Sequence, residues 1–292
     1  MPATAEAREG AAAFAARFSI ETTKPTAAEI AAIAELVPPT TEVYITAVPT
    51  LAADELVSAA GGLRRAGLEP VVHIAARRLP SARALDDLLD RLAGEAAVRR
   101  LLVIGGDVDA AGPFADALAV IQKGRLAERG FAEIGIGAYP EGHPRIPPGR
   151  LEGALDEKIA AATAQGLKVH IVSQFSFSGE RIVAWLRQLR ACGIQLPVKV
   201  GMAGPTSVPA LIRFARRCGV SASLRGLMSG AATALIGHVG PDRIVAELSA
   251  AGGLGDIAAH YFSFGGAIET ARYACDAAHG THGARRAMAH PQ

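Results

Sequence analysis

The sequence predicts an α/β protein folded as a TIM (β/α)8 barrel, and three observations carry that prediction. Eight short β-rich runs alternate with longer amphipathic helical segments along the 292 residues. The runs are continuously apolar, as parallel strands covered on both faces require. No low-complexity or Ser/Gly-rich linker breaks the alternation, so one closed barrel fits better than an open doubly wound sheet. The expected organisation is an N-terminal extension or helix over 1–16, a single barrel over 17–280 and a flexible tail over 281–292.

The elements follow in order. Arg17–Glu21 is the first apolar run, and Thr26-Ala-Ala-Glu29 is a capping box ahead of Ile30 and Ile33. Glu42–Thr46 is the second run, with a helical pattern over 54–66. Pro70–Ala75 is the third, with a helix over 81–93. Arg100–Gly105 is the fourth run and Ile134–Ala138 the fifth, the latter followed by a helix over 153–164. Lys168–Gln174 is the sixth. After it, Ser178 stands as N-cap to an apolar face of Ile182, Val183, Leu186 and Leu189, and Gly193 stops the helix. Pro197–Gly201 is the seventh run, with a helix over 208–218. Two helical segments, 226–237 and 241–252, then precede the eighth run, His260–Phe264. They are the extra helices before the last strand. The one Gly-x-Gly, at 135–137, lies inside a strand, so no Rossmann dinucleotide fingerprint is present.

Composition narrows the function. Net charge is +2 and no basic run exceeds a pair, which leaves no electrostatic footprint for nucleic acid or an anionic membrane. No apolar stretch reaches the roughly 18 residues of a membrane span. The N-terminus lacks a basic start and apolar core, so it does not read as a secretory signal. Cys192, Cys218 and Cys275 lie far apart without C-x-x-C spacing, which argues against a disulfide framework or structural zinc and predicts buried free thiols. No metal triad with recognisable spacing appears. The chain reads as a soluble, cytoplasmic protein.

In a barrel, chemistry gathers where strands end. The first run ends in Glu21, the second in Thr46, and the third carries His73. The fourth runs into Gly105-Gly106-Asp107, where glycines let the backbone approach a ligand. The fifth delivers Tyr139, Glu141 and His143 in a Pro-bracketed turn, and the sixth delivers Gln174, Phe175 and Phe177. Taken singly, His73 reads as a core histidine, Thr46 as an ordinary β-former and Asp107 as a turn residue. Glu21 differs, because a carboxylate closing an apolar strand is costly to bury without a partner or a task. Together they suit general acid/base chemistry and ligand orientation, with no Gly-x-Ser-x-Gly elbow or strand-end cysteine for covalent catalysis.

These residues resemble the methylenetetrahydrofolate reductase family, in a divergent, short bacterial-type form without a regulatory domain. Phe18-Ser-Ile-Glu21 is similar to the family's Phe-Ser-x-Glu strand, and Gly105-Gly106-Asp107 to its Arg-Gly-Asp turn. Tyr139-Pro-Glu-Gly-His-Pro144 matches its Tyr-Pro-Glu-x-His-Pro signature, and Ser173-Gln174-Phe175-Ser-Phe177 its Thr-Gln-Phe-x-Phe strand end. The resemblance implies a TIM barrel binding FAD at its C-terminal mouth. It implies hydride transfer from NADH or NADPH to flavin and on to methylenetetrahydrofolate, giving methyltetrahydrofolate. Glu21 would be the general acid; Asp107, Gln174 and Phe177 would contact the folate; Thr46, His73, Gly106, Tyr139, His143 and Lys158 would contact FAD. Family members are often homo-oligomers. The chain departs from the family where Gly105 replaces an Arg, where Leu151, Ala154 and Glu157 replace an Asp, an Asn and an Arg, and where Phe262-Ser-Phe-Gly-Gly266 replaces Tyr-Thr-Leu-Asn-Arg. These losses bear on the grip on FAD and leave flavin-free hydride transfer or the reverse, oxidative direction open. A folate-dependent methyltransferase barrel and a non-catalytic folate-binding barrel are the rival readings.

Overall fold

A computed structural model of the chain describes residues 12–217, 220 and 238–280. Its strands are β1 (Phe18–Thr22), β2 (Glu42–Ile45), β3 (Glu69–Ala75), β4 (Arg100–Ile104), β5 (Glu133–Ala138), β6 (Lys168–Ser173), β7 (Val198–Ala203), β8 (Thr206–Ser207), β9 (His238–Val239) and β10 (Ile257–Phe262). β8 and β9 form a small antiparallel pair, and the other eight close a barrel in the order β1-β10-β7-β6-β5-β4-β3-β2. These barrel strands pair in parallel, and each barrel strand is followed along the chain by a helix, as a TIM barrel requires. Glu21–Val172 forms one compact unit, and the residues before and after it form another.

In the unit Glu21–Val172, strand alternation sorts the residues. Tyr44, Val71, Leu102 and Val172 share one buried cluster, with Ile104 against it. Tyr44 lies in register with Val71 across β2 and β3, and Leu102 with Gly135 across β4 and β5. The helices are α1 (Ala27–Leu36), α2 (Ala53–Arg65), α3 (Ala82–Gly94), α4 (Ala117–Lys123) and α5 (Pro148–Ala164). The capping box forms as predicted: Glu29 N–H donates to Thr26 Oγ1 at 3.2 Å, and Thr26 N–H to Glu29 Oε2 at 2.8 Å. Ser81 caps α3 and Asp116 caps α4 in the same manner. Helix α5 begins at Pro148, well before residue 153, because a proline at the first helical position has no N–H to leave unsatisfied. The seven-residue α4 was not among the predicted elements, being too short to show a period.

In the other unit, β10 pairs with β1 and β7. Its helices are α6 (Gly179–Ala191), α7 (Val208–Arg217), α8 (Asp242–Ala250) and α9 (Ala267–Ala278). Ser178 caps α6, and Gly193, at φ +81°, ends it as expected. The last strand is Ile257–Phe262, not 260–264. Ala258 and Ala259 carry no β-branched signal, while Phe264 belongs to a turn, its N–H bonded to Phe262 O at 2.9 Å. Helix α8 confirms one of the two helices expected before that strand; the segment 226–237 lies outside the described residues. So do Cys218, the tail over 281–292 and most of the segment over 1–16. The expectation of buried thiols is corrected: Cys192, at the surface end of α6, is exposed, and Cys275 is half-buried.

Candidate active site

Glu21 is 7% exposed although it is a carboxylate, so its surroundings must offset the burial. Thr46 Oγ1 donates to Glu21 Oε2 at 3.3 Å, and His73 Nε2 stands 3.3 Å from Glu21 Oε1. The backbone aligns these groups, since Thr46 N–H donates to Thr22 O at 3.0 Å. Glu21, Thr46 and His73 therefore come together as three strand-end residues of one unit.

Behind His73 lies a second polar group. The His73 ring meets the Tyr44 ring edge-on, with centroids 6.0 Å apart. Tyr44 Oη is 2.9 Å from His170 Nε2 and donates to Glu42 Oε2 at 3.2 Å. His170 Nδ1 is 2.8 Å from Glu133 Oε1, and Arg100 pairs with both Glu133 and Glu42. Burial and the neighbouring carboxylates hold the Tyr44 phenol well above its ordinary range, so it stays a neutral donor. Alternation on β2 puts Glu42, Tyr44 and Thr46 on one face, which was the available signal for Tyr44.

At the end of β4, Gly106 has φ +94°, a conformation that favours glycine. A side chain at Gly105 would meet nothing within 4 Å, so the backbone there is open. The Asp107 side chain is half exposed, and Arg78 Nη2 donates to its Oδ1 at 2.5 Å. Sequence reasoning assigned Asp107 to the folate but passed over Arg78, although the Arg77-Arg78 pair directly after the third strand was there to be read. Both arginines, with His73, Val48, Leu56 and Val108, line a cavity of about 520 Å³ within the same unit.

At the end of β5, the Tyr139 and His143 rings meet edge-on at 5.1 Å. His143 Nδ1 accepts from Arg145 N–H at 3.2 Å. Burial, reinforced by the charges of Arg145 and Arg77, holds the His143 imidazole below its ordinary pKa and therefore mostly neutral. On α5, Lys158 Nζ donates to Gly137 O at 3.3 Å. Burial lowers the Lys158 ammonium to about 8, with Asp116 partly opposing the shift. Among the described residues no carboxylate stands at ion-pair distance from Lys158. Glu157, next to it, faces solvent.

The remaining predicted residues belong to the other unit. Gln174 Oε1 accepts from the Phe175 N–H at 3.0 Å, turning the amide onto its own backbone. Phe177 meets Phe175 edge-on at 5.5 Å and packs against Ala203, Leu211 and Ala215. Phe175 also meets Phe262 and Phe264, and Phe264 stacks on Phe214 at 4.2 Å. Gly265 is packed so closely that a Cβ there would lie 2.1 Å from Pro205 O, so this loop has no room for a side chain at that position.

With this geometry in place, comparison with known proteins identifies the lineage. The family profile of methylenetetrahydrofolate reductase matches residues 31–225. The chain belongs to the methylenetetrahydrofolate reductase family. It is 26% identical over 160 residues to methylenetetrahydrofolate reductase 2 of Saccharomyces cerevisiae, a match covering 51% of this chain and 26% of that relative. The chain thus aligns with about a quarter of the curated relative's length. The family match contains every predicted site residue except Glu21, which precedes it. No helix among the described residues is long and apolar enough to cross a membrane.

Proposed function

We propose that the chain interconverts methylenetetrahydrofolate and methyltetrahydrofolate with NADH or NADPH as hydride source, Glu21 acting as general acid. The observation that carries this reading is a buried strand-end carboxyl, flanked by Thr46 and His73, in a family member. A carboxyl placed there can deliver a proton to a departing nitrogen. The Glu21 O–H bond breaks, its proton goes to the folate nitrogen, and the ring C–N bond opens to an iminium. Hydride addition to the iminium carbon then gives the methyl group. Glu21 is left as a carboxylate and takes its next proton from solvent.

Two features suit a dinucleotide such as FAD: a largely buried ammonium, Lys158, that donates to the Gly137 carbonyl, and open backbone at Gly105 beside the positive-φ Gly106. A diphosphate beside Lys158 would restore the charge that burial disfavours. Lys158, Tyr139, His143 and Gly106 are the residues that would hold it. When bound, FAD supplies the capacity to accept and pass on a hydride. Asp107 reaches a pterin only by giving up or sharing Arg78, while Gln174 and Phe177 are its proposed amide and ring contacts.

Oxidation of NADH and of NADPH by the purified protein with methylenetetrahydrofolate tests the reading. Turnover with either supports it; folate binding without turnover under any nicotinamide would establish a binding protein instead. A flavin absorption band in the purified protein decides whether FAD is retained.

A further inference from the structure

We propose that His73 is a positioning residue for Glu21, fixing the acid's carboxyl with Thr46 while Tyr44 holds the imidazole in place. The inference rests on the reading of Glu21 as the acid. The two carboxyl oxygens face two different strands: Thr46, just after β2, donates to Oε2, and His73 Nε2 on β3 stands 3.3 Å from Oε1. Contacts at both oxygens remove the carboxyl's freedom to rotate, and a misplacement of about 1 Å at a reacting group can cost roughly 100-fold in rate.

The same contacts answer a second need. When the Glu21 O–H gives up its proton, a charge appears on a side chain only 10% exposed. An imidazole N–H and a hydroxyl beside it offset that charge without themselves transferring a proton. His73 cannot easily swing away. Its ring edge rests on Tyr44, whose hydroxyl is tied to His170 and Glu42. Family resemblance places Thr46 and His73 at the cofactor; the distances here give both of them the acid as a neighbour.

The test compares His73→Leu and His73→Gln in the full chain, each with and without Glu21→Gln. His73→Leu should lower kcat roughly 10- to 100-fold while KM for methylenetetrahydrofolate stays within about 3-fold. His73→Gln, which keeps an N–H donor, should recover most of the loss. In the Glu21→Gln background, His73→Leu should cost nothing further, since the group it positions is gone. An equal loss in both backgrounds, a rise in KM alone, or released flavin with kcat intact would overturn the proposal.

If the wild-type protein has no turnover, the functional reading fails and a titration decides the positioning role separately. The His73 imidazole is followed by NMR in wild type and in Glu21→Gln. Around it stand Glu21 from β1, Tyr44 from β2, and Arg77 and Arg78 in the turn after β3, with apolar Leu102 in register on β4. Replacing Glu21 should move the His73 ring resonances across the titration; ring resonances identical in the two proteins would overturn the contact.

Discussion

Two buried histidines in the unit Glu21–Val172 invite comparison. His170 is 1% exposed and His73 is 5% exposed, and each stands beside a glutamate. Around His170 the circuit is closed: Glu133 at 2.8 Å, Tyr44 at 2.9 Å, and Arg100 neutralising Glu133 and Glu42. Around His73 the contacts are longer, 3.3 Å on each side of Glu21. A closed circuit fixes a fold; a looser one leaves a carboxyl able to change its protonation. The same residue types thus do different work because of what completes their charge.

The largest expected effect falls on the Glu21–His73 pair. Glu21→Gln should lower steady-state turnover by roughly 100- to 10,000-fold while leaving the thermal midpoint nearly unchanged. Full activity in that variant would remove the acid and with it the contrast.

Lys158 sharpens the comparison as a buried charge with no carboxylate circuit. Its folded pKa, about 8, lies below its ordinary 10.5, so the unfolded chain binds the proton more tightly between those values and stability rises with pH across them. Below pH 8 the destabilisation is complete. Lys158→Met should therefore raise unfolding stability by up to about 3 kcal/mol at neutral pH, the gain vanishing above the ordinary value. Urea titrations at several pH values check this, and a pH-independent difference would refute it. Where FAD binds, the same variant should weaken it.

His170→Leu should weigh mainly on stability, costing about 1–3 kcal/mol through the groups it leaves unmatched, with turnover per folded molecule falling far less than in Glu21→Gln because Glu42 still tethers Tyr44. Equal losses of activity and stability would erase the distinction between the two histidines. The smallest effect concerns the glycines of the two neighbouring strands. A Cβ at Gly135 would lie 2.8 Å from His170 Nε2, whereas one at Gly105 meets nothing within 4 Å. Gly135→Ala should cost about 1–2 kcal/mol by overpacking, and Gly105→Ala should lie within about 0.5 kcal/mol of wild type in the same denaturation assay.

Periodicity and capping are local properties, and the sequence was sufficient for them. The apolar runs, the Thr26–Glu29 box, the Ser178 cap and the Gly193 stop require only neighbours along the chain, and together they determined a (β/α)8 barrel with its polar residues at strand ends. What lacked a local period was missed: the short α4, the early start of α5 and the true limits of the last strand, where phenylalanines packing against one another imitate a strand.

Partnership between distant residues was a matter for the tertiary structure alone. Gly135 read only as part of a Gly-x-Gly inside a strand, yet His170, from the next strand, occupies the space a side chain there would take. His73 read as a core histidine or a cofactor contact, yet it lies against Glu21. Asp107 read as a ligand for folate, yet Arg78 holds it. Sequence order fixes which side chains reach a strand end; the shift of register from strand to strand decides which of them meet, and no single strand encodes that.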